Sequence, residues 1–134
     1  MTPASGHNVD CHAHIIDTAR FPLPAGRGYK PRPDERGTRE DFCAVLDRHE
    51  LSCGLLVQLS GYGTDNSPIL DAIRAYPGRF KAIAVIDPKA SDRQLEDLAH
   101  AGVVGARFNL VSYEPDALSR PDTLRLLGRL KALG

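Results

Sequence analysis

An α/β fold built on parallel strands is what this sequence predicts, and three observations predict it. Four short β-rich runs, Asn8–Ile16, Cys53–Ser60, Phe80–Asp87 and Val103–Leu110, alternate with helical patterns in the order βαβαβαβα. The helices are short enough to be crossovers between parallel strands. The apolar centres of the second and third runs suit strands buried on both faces, as parallel sheets require. With 134 residues, 42% hydrophobic and 25% charged, the chain has the composition of one ordered domain.

The first run reads NVDCHAHII. Side chains alternate across a strand, so Asp10, His12, His14 and Ile16 share one face and Val9, Cys11, Ala13 and Ile15 the other. The second set suits packing under helices, with Cys11 in the core. Residues 20–37 follow, holding Pro22, Pro24, Pro31 and Pro33 with Gly26 and Gly28, a loop of the length usually given to lids and binding segments. Thr38 opens the first helix with Asp41 three residues on in a capping box, and Phe42, Val45 and Leu46 recur at helical spacing. The second run ends in the polar loop GYGTDN, where Ser60, Tyr62, Asp65 and Asn66 can offer hydrogen bonds and Asp65 or Asn66 can cap the next helix. That helix opens at Asn66-Ser67-Pro68, buries Ile69, Leu70 and Ile73, and stops at Pro77-Gly78. Asp87-Pro88 reads as a turn. The third helix starts at Ser91, carries Leu95 and Leu98 and ends at Gly102, suited to a left-handed cap. On the fourth run Gly105, Arg107 and Asn109 share a face opposite Val104, Ala106, Phe108 and Leu110. The fourth helix follows Pro121, with Leu124, Leu127 and Leu130 on one face.

Composition also excludes. Seventeen Lys+Arg balance 17 Asp+Glu, which argues against a nucleic-acid or anionic-membrane partner. No apolar run approaches the ~18 residues of a membrane span. Three cysteines at irregular spacing suit reduced thiols, and the expected location is cytoplasmic. Neither GxGxxG nor GxxxxGK[ST] is present.

The chemistry gathers at the carboxyl ends of the runs, where parallel α/β folds place ligands. Two imidazoles at i,i+2 can share one metal ion or one substrate oxygen, or make structural hydrogen bonds. A Cys11–His12 nucleophile pair is disfavoured because adjacent strand residues point to opposite faces. Arg107, always charged, wants a carboxylate, either a ligand's or that of Asp10 or Asp87. His49 and His100 fall in the last turns of helices and His7 before the first strand, so none of the three joins the site.

Val9-Asp10-Cys11-His12-Ala13-His14 resembles the HxH signature on the first strand of the amidohydrolase superfamily. Phe21-Pro22 to Tyr29-Lys30-Pro31, Gly63-Thr64-Asp65-Asn66, Gly78-Arg79-Phe80 and Gly105-Ala106-Arg107-Phe108-Asn109 resemble the amidohydrolase-related branch that includes the 2-pyrone-4,6-dicarboxylate lactonases. The resemblance implies a (β/α)8 TIM barrel that opens a carboxylated lactone in aromatic-compound catabolism. On that resemblance His12 and His14 hold or polarise the scissile carbonyl, Arg107 binds a substrate carboxylate, and Tyr29, Ser60 and Asn109 line the pocket. In most of the superfamily the two histidines bind a divalent, zinc-like metal; in the pyrone lactonases the reaction proceeds without one. Those lactonases carry a second basic residue shortly after R-F-N, where this chain has Val111-Ser112-Tyr113-Glu114. Tyr113 cannot neutralise charge and Glu114 would repel an anion, so a monocarboxylated or sugar-like lactone is as well matched as a dicarboxylate.

The resemblance further implies a histidine on strand five or six and a catalytic aspartate near strand eight. Residues 1–134 are therefore expected to be one truncated domain, the N-terminal half of the barrel with strands 1–4 and helices 1–4, weak or inactive without its other half. The contrasting expectation is a non-catalytic small-molecule-binding module, or a half-barrel that pairs with a second copy.

Overall fold

The computed structural model describes residues 8–26, 29–111 and 114–134. His7, Gly28, Ser112 and Tyr113 lie outside them. Four strands, β1 (Val9–Ala13), β2 (Cys53–Val57), β3 (Phe80–Ala84) and β4 (Val103–Ala106), form one parallel sheet in the order β1-β2-β3-β4. Helices α1 (Arg39–Arg48), α2 (Ser67–Ala75), α3 (Asp92–His100) and α4 (Pro121–Leu133) alternate with them. The fold is thus α/β, with the four consecutive βα units expected for the N-terminal half of a TIM barrel.

The helix starts follow their caps. The Thr38 hydroxyl accepts from the Asp41 amide while the Asp41 carboxylate accepts from the Thr38 amide, and Ser91 and Gln94 repeat the arrangement at α3. Gly102 takes a φ of 102° beyond the end of α3, a conformation that glycine adopts without steric cost. At α2 Asn66 holds the N-cap position without a side-chain cap bond, and the preceding Asp65 accepts at Oδ1 from the Ser67 amide and hydroxyl at 3.1 and 2.5 Å.

One apolar cluster joins all four helices to the sheet. Leu46, Leu56, Ala72, Ala82, Ala84 and Leu126 have no measurable exposure. Phe80, Ala82, Ala84 and Ile86 alternate into it, so β3 gives one face to the helices. Phe42 stacks on Phe80 at 5.6 Å between ring centres. A Cβ on Gly54 would lie 2.7 Å from the Phe42 ring, so only glycine at this point of β2 lets the aromatic pair close on the sheet.

Four sequence expectations need correction. Cys11 is exposed rather than in the core, as is Val9, because β1 is an edge strand with no described helix over that part of it; the buried thiol is Cys43. On α1, Val45 is 40% exposed and Cys43 takes its place beside Leu46. On α4 the buried residues are Thr123 and Leu126, while Leu124 and Leu127 are exposed: the helix is rotated from the face that leucine spacing alone suggests. On β4, Val103 and Ala106 pack on the core and Val104 is exposed, since a register shift against β3 breaks strict alternation.

The strands are also shorter than the runs that announced them. His14, Ser60, Arg107 and Asn109 all sit just past a strand's carboxyl end. The proline-rich segment is tied down by a bridge between Ile16 and Gly37, with N···O distances of 2.8 and 3.0 Å, and by the Tyr62 hydroxyl, which donates to the Phe21 carbonyl at 3.0 Å. Tyr62 is buried and serves this tether. No described helix is long and apolar enough to cross a membrane.

Candidate functional site

The end of β2 organises the site through backbone, not side chains. Two consecutive carbonyls there hold an imidazole and a guanidinium. The Nδ1 of His14, from the end of β1, lies 2.7 Å from the Val57 carbonyl. The Nη1 of Arg107, from the end of β4, donates to the Gln58 carbonyl at 2.7 Å. Strands one, two and four therefore meet here, with Arg107 reaching across the end of β3.

His12 and His14 do share a face, their rings edge to face with centroids 5.0 Å apart. Asp10 is used locally: its Oδ1 accepts from the His12 amide at 3.0 Å, beside a register shift between Asp10 and Ala13. A carbonyl can only accept, so the His14 Nδ1 carries the proton and its Nε2 offers a lone pair. Burial pushes the His14 pKa below the ordinary 6.5; the Val57 hydrogen bond pulls the other way, and the Arg107 and His12 charges add to the lowering. Folding therefore disfavours protonation of His14. The unfolded chain takes up that proton more readily, so stability present above pH 6.5 falls as pH drops through and below that value. We expect an imidazole titration by NMR to place the His14 midpoint under 6.5, and His14→Gln to flatten the acid-side loss; a midpoint above 6.5 contradicts this geometry.

Arg107 has no carboxylate within ion-pair distance among the described residues, so neither Asp10 nor Asp87 is its partner. It lines a cavity of about 350 Å³ at the carboxyl ends of β3 and β4, together with Ser60 and Asn109. A cleft of that size accepts a small molecule. His12 and His14 do not line this cavity; His14 adjoins it through Arg107. Tyr29 does not line it either: its hydroxyl donates to Glu35 at 2.5 Å within the proline-rich loop, and that bond raises the Tyr29 pKa and lowers that of Glu35. The loop nevertheless abuts the β2 exit, where a Cβ on Gly61 would lie 2.9 Å from the Tyr29 carbonyl oxygen.

Two buried amides brace the cavity wall. Gln58 donates to the Asp65 carbonyl at 2.5 Å. Asn66, one of the two candidate caps, instead pairs its side chain with the backbone of Val85 in both directions, at 2.9 and 3.1 Å. The loop after β2 is thereby joined to the exit of β3, where Asp87 forms the expected turn by accepting from the Lys89 amide at 2.8 Å. Lys89, Glu114 and Arg120 also line the cavity and were not foreseen as site residues. For Lys89 a signal existed in its position, just past the end of the run Phe80–Asp87 and so on the loop that leaves the carboxyl end of β3. Glu114, expected to repel an anion, faces Arg120 at 3.7 Å, which offsets its charge.

A larger cavity of about 520 Å³ lies under the proline-rich loop. Its guanidiniums are all matched: Arg20 with Asp17 and Glu40, Arg32 with Asp34 and Glu35, Arg36 with Asp41.

Among the described residues no three His, Cys, Asp or Glu side chains converge as a metal-binding group. A catalytic zinc takes about three protein ligands. His12 and His14 supply two imidazoles, so the described donor set does not make a complete metal site.

Paired imidazoles on the first strand and a guanidinium after the fourth with no ion pair among the described residues lie at the carboxyl ends of parallel strands, where βα-barrel folds place their sites. The chain belongs to the amidohydrolase family, whose model of the Amidohydro_2 type matches residues 9–134. It is 29% identical over 127 residues to a 2-pyrone-4,6-dicarboxylate hydrolase of Comamonas testosteroni, covering 94% of this chain and 41% of the relative. It is 33% identical over 100 residues to a 4-sulfomuconolactone hydrolase of Hydrogenophaga intermedia, covering 74% and 32%. A solved structure of a probable 2-pyrone-4,6-dicarboxylic acid hydrolase from Acinetobacter baumannii, with citric acid bound, superposes with a TM-score of 0.85 at 34% identity, over 96% of this chain and 47% of that one. The chain thus spans less than half the length of these relatives.

Proposed function

We propose that this chain carries the anion-binding and carbonyl-polarising part of a lactone hydrolase acting on a carboxylated cyclic ester. The observation that carries the reading is Arg107, a guanidinium oriented by the Gln58 carbonyl, free of carboxylates among the described residues and adjoining the histidine pair. Relatives that act on a pyrone dicarboxylate and a sulfomuconolactone support the substrate class.

In this reading Arg107 holds a ring carboxylate through parallel hydrogen bonds, with Ser60 and Asn109 beside it and Tyr29 on the loop that abuts Ser60. His12, the more exposed imidazole, donates to the lactone carbonyl oxygen as negative charge develops there. His14, neutral with Nδ1 on Val57, accepts a hydrogen bond at Nε2 and so orients the attacking water, without serving as its base. Water adds to the carbonyl carbon, the bond to the ring oxygen breaks, and the water's proton passes to that leaving oxygen. No carboxylate of the described residues joins the histidines as general base, a group that contributes roughly 10²–10⁴-fold. In this reading the base is supplied by a complementary barrel half, as in a full-length barrel, and activity of the chain depends on that half.

The test is hydrolysis of 2-pyrone-4,6-dicarboxylate by the chain, alone and mixed with the C-terminal barrel half of a matched relative. Activity should need the mixture and fall at least tenfold, ~1.4 kcal/mol of transition-state stabilisation, in His12→Ala and Arg107→Ala. Undiminished rates in both variants would falsify the assignment. The same reading accounts for the edges of the sheet: among the described residues β1 and β4 each pair on one side only, with Val9 and Val104 exposed. Association with a complementary half or a second copy would cover them, and light scattering that finds only monomers at high concentration would rule out the second copy.

A further inference from the structure

The charges around the Arg107 cavity are equal in number but are not all paired. Six charged side chains line it, Lys89, Arg107 and Arg120 against Asp87, Glu114 and Asp122. Arg120 is neutralised where it stands, 3.2 Å from Asp122 and 3.7 Å from Glu114. Asp87 turns one oxygen onto its own loop, accepting from the Lys89 amide, a bond that sets the turn placing Lys89 on the cavity wall. Arg107 spends one N–H on a neutral carbonyl. Among the described residues neither Arg107 nor Lys89 makes an ion pair. The matched guanidiniums of the larger cavity show that an arginine-lined pocket of this chain need not leave a cation without a partner.

We propose that Lys89 determines specificity at this site by reading a second anionic group on a ligand whose first carboxylate is held by Arg107. The inference rests on the reading of Arg107 as an anion anchor and adds the ligand's second charge. Arginine presents a planar fork suited to a carboxylate; lysine is a compact point charge without that geometric demand. The second group can therefore be planar or tetrahedral, a carboxylate or a sulfonate. The cavity, about 350 Å³, accommodates a single small ring bearing both. This second cation lies on the loop after β3, a different place from the stretch after Asn109 where the sequence lacks one.

Calorimetric or NMR titration of the 134-residue chain with benzoate, benzene-1,3-dicarboxylate and 3-sulfobenzoate tests the assignment. Both dianions should bind more tightly than benzoate. Lys89→Gln should weaken them by about 3- to 5-fold, the size of a partly solvated ion pair, while leaving benzoate unchanged. Lys89→Arg should keep the preference, and Arg107→Gln should weaken all three probes. If Lys89→Gln leaves the preference for dianions intact while Arg107→Gln weakens all three, Lys89 is not the reader and the anion anchor stands. If Arg107→Gln changes none of them, the anchor itself is wrong and the inference falls with it.

Discussion

Replacing Arg107 by glutamine is expected to weaken binding of a carboxylate probe by about 10- to 100-fold, the largest single effect of any substitution at the site. Hydrogen bonds to charged groups contribute ~1.5–3 kcal/mol, and ~1.4 kcal/mol is tenfold in affinity. The guanidinium has no acidic partner among the described residues, so little of that attraction is already consumed within the protein. Glutamine can still donate one hydrogen bond to the Gln58 carbonyl, which keeps that acceptor from being left bare and limits the cost to folding. A second readout follows the charge itself. The Arg107 charge is one of the causes that hold the His14 pKa down, so in Arg107→Gln the His14 titration should move upward. Binding measured by titration and the imidazole signal measured by NMR must change together. Lost binding with an unmoved His14 would mean that the Arg107 charge does not reach His14 and that the two groups do not form one site.

Leu46→Ala is expected to have the largest effect on stability, a loss of ~2–5 kcal/mol. Leu46 is fully buried between α1 and the sheet, near Gly54 and in the cluster that joins all four helices. Its removal leaves a cavity under a point where Phe42 and Phe80 already stack, so the surroundings have little freedom to collapse into it. A domain with ~5–15 kcal/mol in total cannot lose that much unnoticed. Val45→Ala, one residue away, should change stability by no more than ~0.5 kcal/mol, because Val45 is exposed on the helix. Urea denaturation of the two variants side by side decides the rotation of α1. Equal losses would place Val45 on the buried face after all.

What could be read in advance followed short-range rules. The capping boxes at Thr38 and Ser91, the left-handed Gly102 and the alternation of four βα units each depend on contacts within a few residues, and each is present. The pairing of His12 with His14 is of the same kind, since i,i+2 residues share a strand face. The errors came where neighbours distant in sequence decide. Cys11 looked like core because its strand is apolar on that side, but an edge strand buries only what another element covers. Either Asp65 or Asn66 could start α2 on the sequence alone; Asn66 takes the cap position, but its side chain is turned to the Val85 backbone, nineteen residues on, and Asp65 accepts from Ser67 instead.

The sequence by itself determined that this chain is an α/β domain whose polar residues gather at the carboxyl ends of its strands, and its family resemblance pointed to His12, His14, Tyr29, Ser60, Arg107 and Asn109 as candidate site residues. The fold is carried by periodicity and residue chemistry, which need no third dimension. Only the tertiary structure decided that His14 and Arg107 hang from the adjacent carbonyls of Val57 and Gln58. It alone showed that Arg120 is already matched by Glu114 and Asp122 while Lys89 makes no ion pair among the described residues, and that the Tyr29 hydroxyl turns to Glu35. The reason is physical: a backbone carbonyl has no identity in the sequence, and an ion pair exists only when two charges are brought within a few ångströms.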